Sequence, residues 1–217
     1  MTCYGILKRS LDLILATFAL LVLALPLLVI AVLITRRLGP GGAFFKQVRP
    51  GLHGRPFTVV KFRTMREAFD AEGRPLPQSE RTPAFGWFLR RLSIDEIPQL
   101  INVVRGEMSL VGPRPLLLEY LDRYPDAYAR RHDVLPGITG WAQVHGRDFV
   151  TFSKRLEMDV WYVENRSLIL DLRILWLTLI MVLLRPQVAP IDQSMDEVDD
   201  IGLHPSTRGA RQVDGER

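Results

Sequence analysis

The sequence predicts an α+β protein, mostly helical, tied to a membrane at its N-terminus and carrying one small β-hairpin. Three observations predict it. From Leu13 to Thr35 there are 23 residues without a charge, roughly 34 Å of straight helix at about 1.5 Å per residue. Two short runs rich in aromatic and β-branched residues, 44–48 and 57–62, flank Pro50, Gly51 and Gly54, the pattern of two strands and a loop. Most of the chain beyond the second run alternates amphipathic stretches with proline- and glycine-marked breaks, which reads as short helices and turns.

The composition narrows the possible functions. The chain has 217 residues, 47% apolar and 24% charged, which suits one domain with a tail and excludes global disorder. The single cysteine, Cys3, excludes an internal disulfide framework and a cysteine-rich zinc site. His53, His132, His145 and His204 show no HxxxH or HExxH spacing, which argues against a histidine metal site. The net charge is +4, but residues 185–217 hold four basic and seven acidic side chains, leaving +7 on residues 1–184. A basic body suits an anionic partner: phosphate, nucleic acid or anionic lipid.

Taken in order, the N-terminal stretch is apolar on every face, unlike a buried soluble helix. It is too long for a cleaved signal and lacks a small-x-small site before Arg36. Pro26 sits at its middle and costs it a hydrogen bond. Both flanks are basic, Lys8 and Arg9 before, Arg36 and Arg37 after, whereas a spanning helix carries its basic excess on one side. Two readings stay open on these residues: a bent helix that enters and leaves one leaflet, and an ordinary anchor kinked at Pro26.

Gly39 to Gly42 marks a boundary. The hairpin is studded with Lys46, Arg49, Arg55, Lys61, Arg63 and Arg66. Residues 67–83 read as a polar, proline-rich loop. Residues 84–92 read as an amphipathic helix ending in Arg90 and Arg91, and 97–104 as a helix with Pro98 in its first turn and Gly106 closing it. Residues 111–115 must be extended or turned, since Pro113 and Pro115 bracket Arg114. A helix is expected over 116–131, a glycine-punctuated loop over 135–148 and a helix over 150–165. Residues 168–184 are strongly apolar, but the uncharged part from Ile174 to Leu184 is 11 residues, too short to span. A helix lying on the membrane surface or packed in the core fits better.

The segment with chemical character is LRRLSIDEIPQL, residues 89–100. Asp95 and Glu96 are adjacent, and neighbouring carboxylates repel unless a cation is close. One can bind a hard metal while the other serves as nucleophile or base. The competing reading is a helix cap: Ser93-x-x-Glu96 matches a capping box. Pro98 weakens it by falling inside the capped helix. Arg114 between prolines and Arg147 after Gly146 present fixed forks suited to phosphate, although each alone reads as surface arginine. With Lys61, Arg63 and Arg90 they suggest a polyanion site, provided the fold gathers them. Neither a Walker A loop nor a dinucleotide GxGxxG occurs.

KFRTM (61–65), LRRLSIDEIPQLINVVRGEMSLVGPRP (89–115) and LPGITGWAQVHGR (135–147) together resemble the bacterial sugar transferase family, the monotopic phosphoglycosyl transferases. The resemblance runs over roughly residues 4–186, with the motifs in family order and spacing. It is to the minimal catalytic form, without the multispanning N-terminal extension of longer relatives. It implies transfer of a phosphosugar from a UDP-sugar to polyprenol (undecaprenyl) phosphate, with release of UMP, as the first membrane step of glycoconjugate or exopolysaccharide assembly. It implies Asp95 as the nucleophile of a covalent phosphosugar intermediate and Glu96 as a catalytic residue and ligand of Mg²⁺. Arg90, Arg114 and Arg147 would lie near the phosphates, with Lys61 and Arg63 in the supporting basic motif. It further implies a re-entrant N-terminal helix broken at Pro26, on the cytoplasmic face of the bacterial inner membrane. The organisation expected is a re-entrant hairpin over 1–38, a cytoplasmic catalytic domain with interfacial amphipathic helices around one active site over 39–186, and an acidic, disordered tail over 187–217. The partners expected are a UDP-sugar, polyprenol phosphate and anionic membrane lipid, with a homodimer left open and no nucleic acid.

Two positions depart from the family pattern. Leu25-Pro26 stands where Ser-Pro is frequent, and His145 where asparagine is common; neither position implies a histidine base. Rival readings are a membrane-bound Mg²⁺-dependent phosphate-ester hydrolase, which would pass the intermediate to water, and a non-catalytic scaffold binding anionic lipid. A nucleic-acid binder ranks last, because the basic and aromatic residues form no recognised module. No residue identifies the sugar.

Overall fold

The computed structural model describes residues 3–146, 150–184 and 198–203. The uncharged N-terminal stretch forms α1 (Cys3–Leu38), 36 residues that run through Pro26. It is the one helix among the described residues long and apolar enough to cross a membrane. Phe18, Leu21, Leu25 and Leu28 along its middle are more than 60% exposed, an apolar surface that water would penalise. Beyond the Gly39–Gly42 turn, β1 (Phe44–Pro50) and β2 (Pro56–Phe62) pair antiparallel as the expected hairpin. Its loop closes through the Gly51 amide donating to the Arg55 carbonyl at 2.8 Å.

The remaining helices are short: α2 (Gln78–Arg81), α3 (Ala84–Arg91), α4 (Leu100–Arg105), α5 (Asp126–Ala129), α6 (Trp141–His145), α7 (Phe152–Asn165) and α8 (Leu168–Leu184). Two three-residue strands, β3 (Ser109–Val111) and β4 (Gly137–Thr139), pair in parallel, Ser109 opposite Gly137 and Val111 opposite Thr139. The chain divides into two units. The first takes the residues through Gln47, Thr58–Gly106 and α8 from Leu179; the second takes Val48–Phe57, Glu107–Thr178 and the described C-terminal residues.

In the first unit, Ile34 and Leu38 at the end of α1 join Ala43, Phe62 and Leu89 in a buried cluster, with Phe85 and Ile94 against it. Arg9, near the other end of α1, donates to the Val103 carbonyl at 2.7 Å and the Val104 carbonyl at 3.2 Å. It thereby adds a side-chain donor to carbonyls at the last turn of α4, of which Val103 also accepts from the Gly106 amide at 3.0 Å. The fully buried Asn102 amide ties α4 to β2, donating to the Thr58 carbonyl at 2.7 Å and accepting from the Val60 amide at 3.1 Å. Gly106 at φ 85° ends α4 as expected.

In the second unit, Gly112 just past β3 and Gly137 of β4 approach so closely that neither leaves room for a side chain. A Cβ on Gly137 would stand 2.1 Å from the Gly112 amide nitrogen. One core gathers Val111, Tyr162, Val163 and Ile174, with Tyr162 donating to the Asp171 carboxylate at 2.7 Å. Another gathers Leu116, Tyr120, Phe152, Leu156 and Leu203.

Two expectations are overturned by the fold. The helix expected over 116–131 is a 3₁₀ stretch (Leu118–Arg123), then α5, then a second 3₁₀ turn (Arg130–His132). Pro125 explains the break, because it brings no N–H and disfavours helix in the residue before it. The glycine-punctuated loop contains β4, a strand too short to show a period. Within the segment expected to be a disordered tail, residues 198–203 are folded onto the second unit. Leu203 is 1% exposed there, and Asp200 accepts from the Ser153 amide at 3.0 Å, at the start of α7. The rest of that segment lies outside the described residues. Along α8, Ile169, Leu172, Trp176, Leu179 and Leu183 are exposed, a stripe at helical spacing.

Candidate active site

The Asp95–Glu96 pair lies in the first unit, on a 3₁₀ stretch (Ile94–Gln99) between α3 and α4. Ser93 introduces it with φ 54°, a left-handed conformation that non-glycine residues seldom adopt and that clusters at functional sites. The capping-box alternative fails on two counts. Ser93 makes no side-chain cap bond, and the Glu96 carboxylate instead accepts from the Lys61 ammonium at 2.7 Å. Both partners are largely shielded, 25% and 17% exposed, so the pair is screened less than a surface one. Asn102, by fastening α4 to β2, holds the strand carrying Lys61 beside the 3₁₀ stretch carrying Glu96.

Arg90, in the last turn of α3, donates through Nε to the Thr64 hydroxyl at 2.8 Å. Its guanidinium carbon stands 5.7 Å from the Trp87 ring centroid. Burial lowers its pKa, and the Asp95 carboxylate works the other way. The Asp95 carboxylate thus favours the charged form of Arg90. The first unit therefore pairs Lys61 with Glu96 and lets Arg90 feel the charge of Asp95, the residue beside Glu96.

Arg63 follows β2 and turns to main chain. It is 7% exposed, and its guanidinium donates to the carbonyls of Gly39 and Pro40. It ties down the turn between α1 and β1. A lysine could not hold both carbonyls with one planar fork. Pro26, the expected kink, lies inside α1 and away from the carboxylate pair in sequence.

Arg114 belongs to the second unit, in the segment after β3, and lines a small concavity with Gly51, Pro113, Pro115, Arg131 and His132. Arg49, at the end of β1 in the same unit, has its pKa lowered first by burial and then by the charge of Arg114. Two guanidinium groups that disfavour each other favour an anion. Burial, then Arg131, push His132 down to about 4, so its imidazole is neutral at pH 7 and contributes no charge. His145 lies against Trp141 with ring centroids 3.6 Å apart and the ring planes tilted by 39°. Arg147 lies outside the described residues.

Sequence reasoning missed Thr64, Asn102 and Arg49. Asn102 had no signal, since a buried asparagine that satisfies a strand looks like any other asparagine. Arg49 was visible only as one of six basic residues around the hairpin.

Adjacent carboxylates do not form a metal cage alone, and no group of three or more His, Cys, Asp or Glu suited to a metal occurs among the described residues. Mg²⁺, however, is ordinarily held by one or two carboxylates and completes its shell with phosphate oxygens and water. The donor set fits a Mg²⁺ shared with a phosphate ligand.

The family model described as bacterial sugar transferase matches residues 3–185. An uncharacterized sugar transferase, EpsL of Bacillus subtilis, is 52% identical over 82% of this chain and 88% of its own length. The UDP-glucose:undecaprenyl-phosphate glucose-1-phosphate transferases of Xanthomonas campestris and Escherichia coli are 44% and 40% identical. They match over 83% and 80% of this chain, which spans 40% and 39% of their own lengths.

Proposed function

Since this chain belongs to the bacterial sugar transferase family, we propose that it moves a sugar-1-phosphate from a UDP-sugar to undecaprenyl phosphate at the cytoplasmic face of the inner membrane. The observation that carries this reading is the Lys61–Glu96 ion pair on the stretch that also bears Asp95. A carboxylate beside fixed cations can approach a diphosphate that would otherwise repel it.

The steps balance as two displacements at one phosphorus. The Asp95 carboxylate attacks the phosphorus that bears the sugar, its bond to the bridging oxygen breaks, and UMP leaves with that oxygen. A phosphate oxygen of the lipid then attacks the same phosphorus, and the carboxylate departs. The product is polyprenyl-diphosphate-sugar. Glu96 would hold Mg²⁺ together with the diphosphate, and the metal would supply charge neutralisation. Lys61 orients Glu96 through their ion pair. Arg90, with Thr64 fixing its Nε, stabilises negative charge near the nucleophile. Arg114 and Arg147 bind phosphate oxygens.

A re-entrant α1 fits this chemistry, because the acceptor phosphate lies at the membrane surface. Within the first unit, Arg9 is bound to α4 while Ile34 and Leu38 pack with Phe62 of β2. Asn102 joins α4 and β2 side by side. A straight helix would set Arg9 and Leu38 about 43 Å apart. Ends held by neighbouring elements support a bend at Pro26, where the ladder lacks a donor. Cysteines placed at Lys8 and at Arg37 should both label only from the cytoplasmic side, and periplasmic labelling of either would sink the re-entrant reading. In place of the family's serine, Leu25 offers no hydroxyl to the freed carbonyl.

The deciding assay incubates the full chain with Mg²⁺, undecaprenyl phosphate and a panel of UDP-sugars, and measures UMP and UDP separately. Lipid-dependent UMP, abolished by a chelator and restored by Mg²⁺, is the expected result. UDP release would mean glycosyl transfer, and sustained UMP release without lipid would mean a hydrolase.

A further inference from the structure

The second unit holds a buried ion pair that the proposed chemistry does not use. Arg131 and Asp159 have side chains 1% and 2% exposed. Arg131 donates to one Asp159 oxygen through Nε at 3.1 Å and Nη2 at 2.7 Å, and to the Tyr124 hydroxyl through Nη1 at 3.1 Å. Nη2 also donates to the main-chain carbonyl of Arg114 at 2.6 Å. A buried ion pair is a poor stabiliser compared with apolar residues of similar volume, because both charges lose their water. What an arginine fork adds in such a place is direction.

The segment it grips needs direction from outside. Pro113 and Pro115 have no N–H, so the loop cannot build its own hydrogen-bond ladder. Its neighbours hold it residue by residue instead. The Gly112 amide donates to the Thr139 carbonyl at 2.9 Å, the Pro113 carbonyl accepts from the Gly137 amide at 3.0 Å, and the Arg114 carbonyl accepts from Arg131. With φ of both prolines fixed, the grip on the Arg114 carbonyl limits the backbone freedom left at Arg114, and hence the direction of its side chain.

We infer that Arg131, anchored by Asp159, is a positioning residue that aims the Arg114 guanidinium at a phosphate of the substrate; this rests on the phosphate-binding role proposed for Arg114. Arg131 touches no substrate in this scheme and acts through its neighbour's backbone.

A double-mutant cycle tests it. The full-length chain, Arg131→Lys, Arg114→Ala and the double variant are compared by kcat/KM for the UDP-sugar that releases UMP in the panel. Lysine keeps a charge for Asp159 but cannot also serve Tyr124 and the Arg114 carbonyl. Arg131→Lys should lose about tenfold when Arg114 is present and less than about twofold in the Arg114→Ala background. An equal loss in both backgrounds would mean general damage and overturn the positioning role. Full activity of Arg114→Ala alone would instead overturn the phosphate role of Arg114, and the inference with it. If Arg131→Lys does not fold, Tyr124→Phe, which removes only the acceptor of Nη1, goes through the same cycle. It should lose about threefold, again only with Arg114 present, since one hydrogen bond of the fork is gone. No loss, or an uncoupled one, overturns the proposal.

Discussion

Asp95→Asn should abolish turnover while leaving the fold intact. The amide keeps the shape of the carboxylate but is a far weaker nucleophile, so no phosphosugar ester forms. The expected loss is at least about 10³-fold in kcat, the scale seen when a group of a catalytic nucleophile unit is removed. The variant should melt close to the parent, because Asp95 is only partly buried and its field on Arg90 is opposed by burial of that arginine. A donor labelled in its sugar-linked phosphate should leave label on the parent protein when lipid is withheld, and none on the variant. More than a few per cent of parental activity, or label trapped on Asp95→Asn, would refute the nucleophile role. A scaffold would show a third outcome, with function in cells unchanged by the substitution.

The Asp95–Glu96 pair stands out in the sequence and its surroundings do not, for a physical reason. Two adjacent carboxylates followed by a proline conflict with the helix cap they otherwise resemble, and the conflict is visible without coordinates. In the structure Ser93 lies in the left-handed region and Glu96 turns to Lys61. Arg63 and Arg90 looked alike in sequence, both basic residues of the motif segments. Their roles separate only by reach: Arg63 is taken by the Gly39 and Pro40 carbonyls, Arg90 by Thr64. The hairpin was legible because β-branched runs flank turn residues. The parallel β3–β4 pair was not, since three residues carry no readable alternation. The burial of Leu203 was masked by the acidic residues around it, where composition argued for a solvated tail.

Gly86→Ala should cost both stability and activity, against the usual preference of helices. Gly86 lies inside α3 with no positive φ to justify it, so alanine would ordinarily stabilise by about 1 kcal/mol. Here the added Cβ would stand 2.0 Å from the Thr64 carbonyl oxygen and 3.0 Å from its carbon, both backbone atoms. Backbone cannot swing aside as a long side chain does, so α3 must move off β2's end. Forced displacements of this kind cost about 1–3 kcal/mol, which outweighs the propensity gain. The displacement also carries Arg90 away from the Thr64 hydroxyl it meets at 2.8 Å and shifts the 3₁₀ stretch that continues from α3 to Asp95. Activity should therefore fall by at least about tenfold even below the lowered melting temperature, since an ångström of misplacement at a reacting centre can cost about 10²-fold. Gly73→Ala makes the comparison, because its Cβ would meet nothing within 4 Å. There only the φ of +77° is penalised, at a turn remote in sequence from the carboxylates, and activity should stay near the parent's. If Gly86→Ala instead melts higher and turns over normally, the close approach of α3 to Thr64 does not set the site.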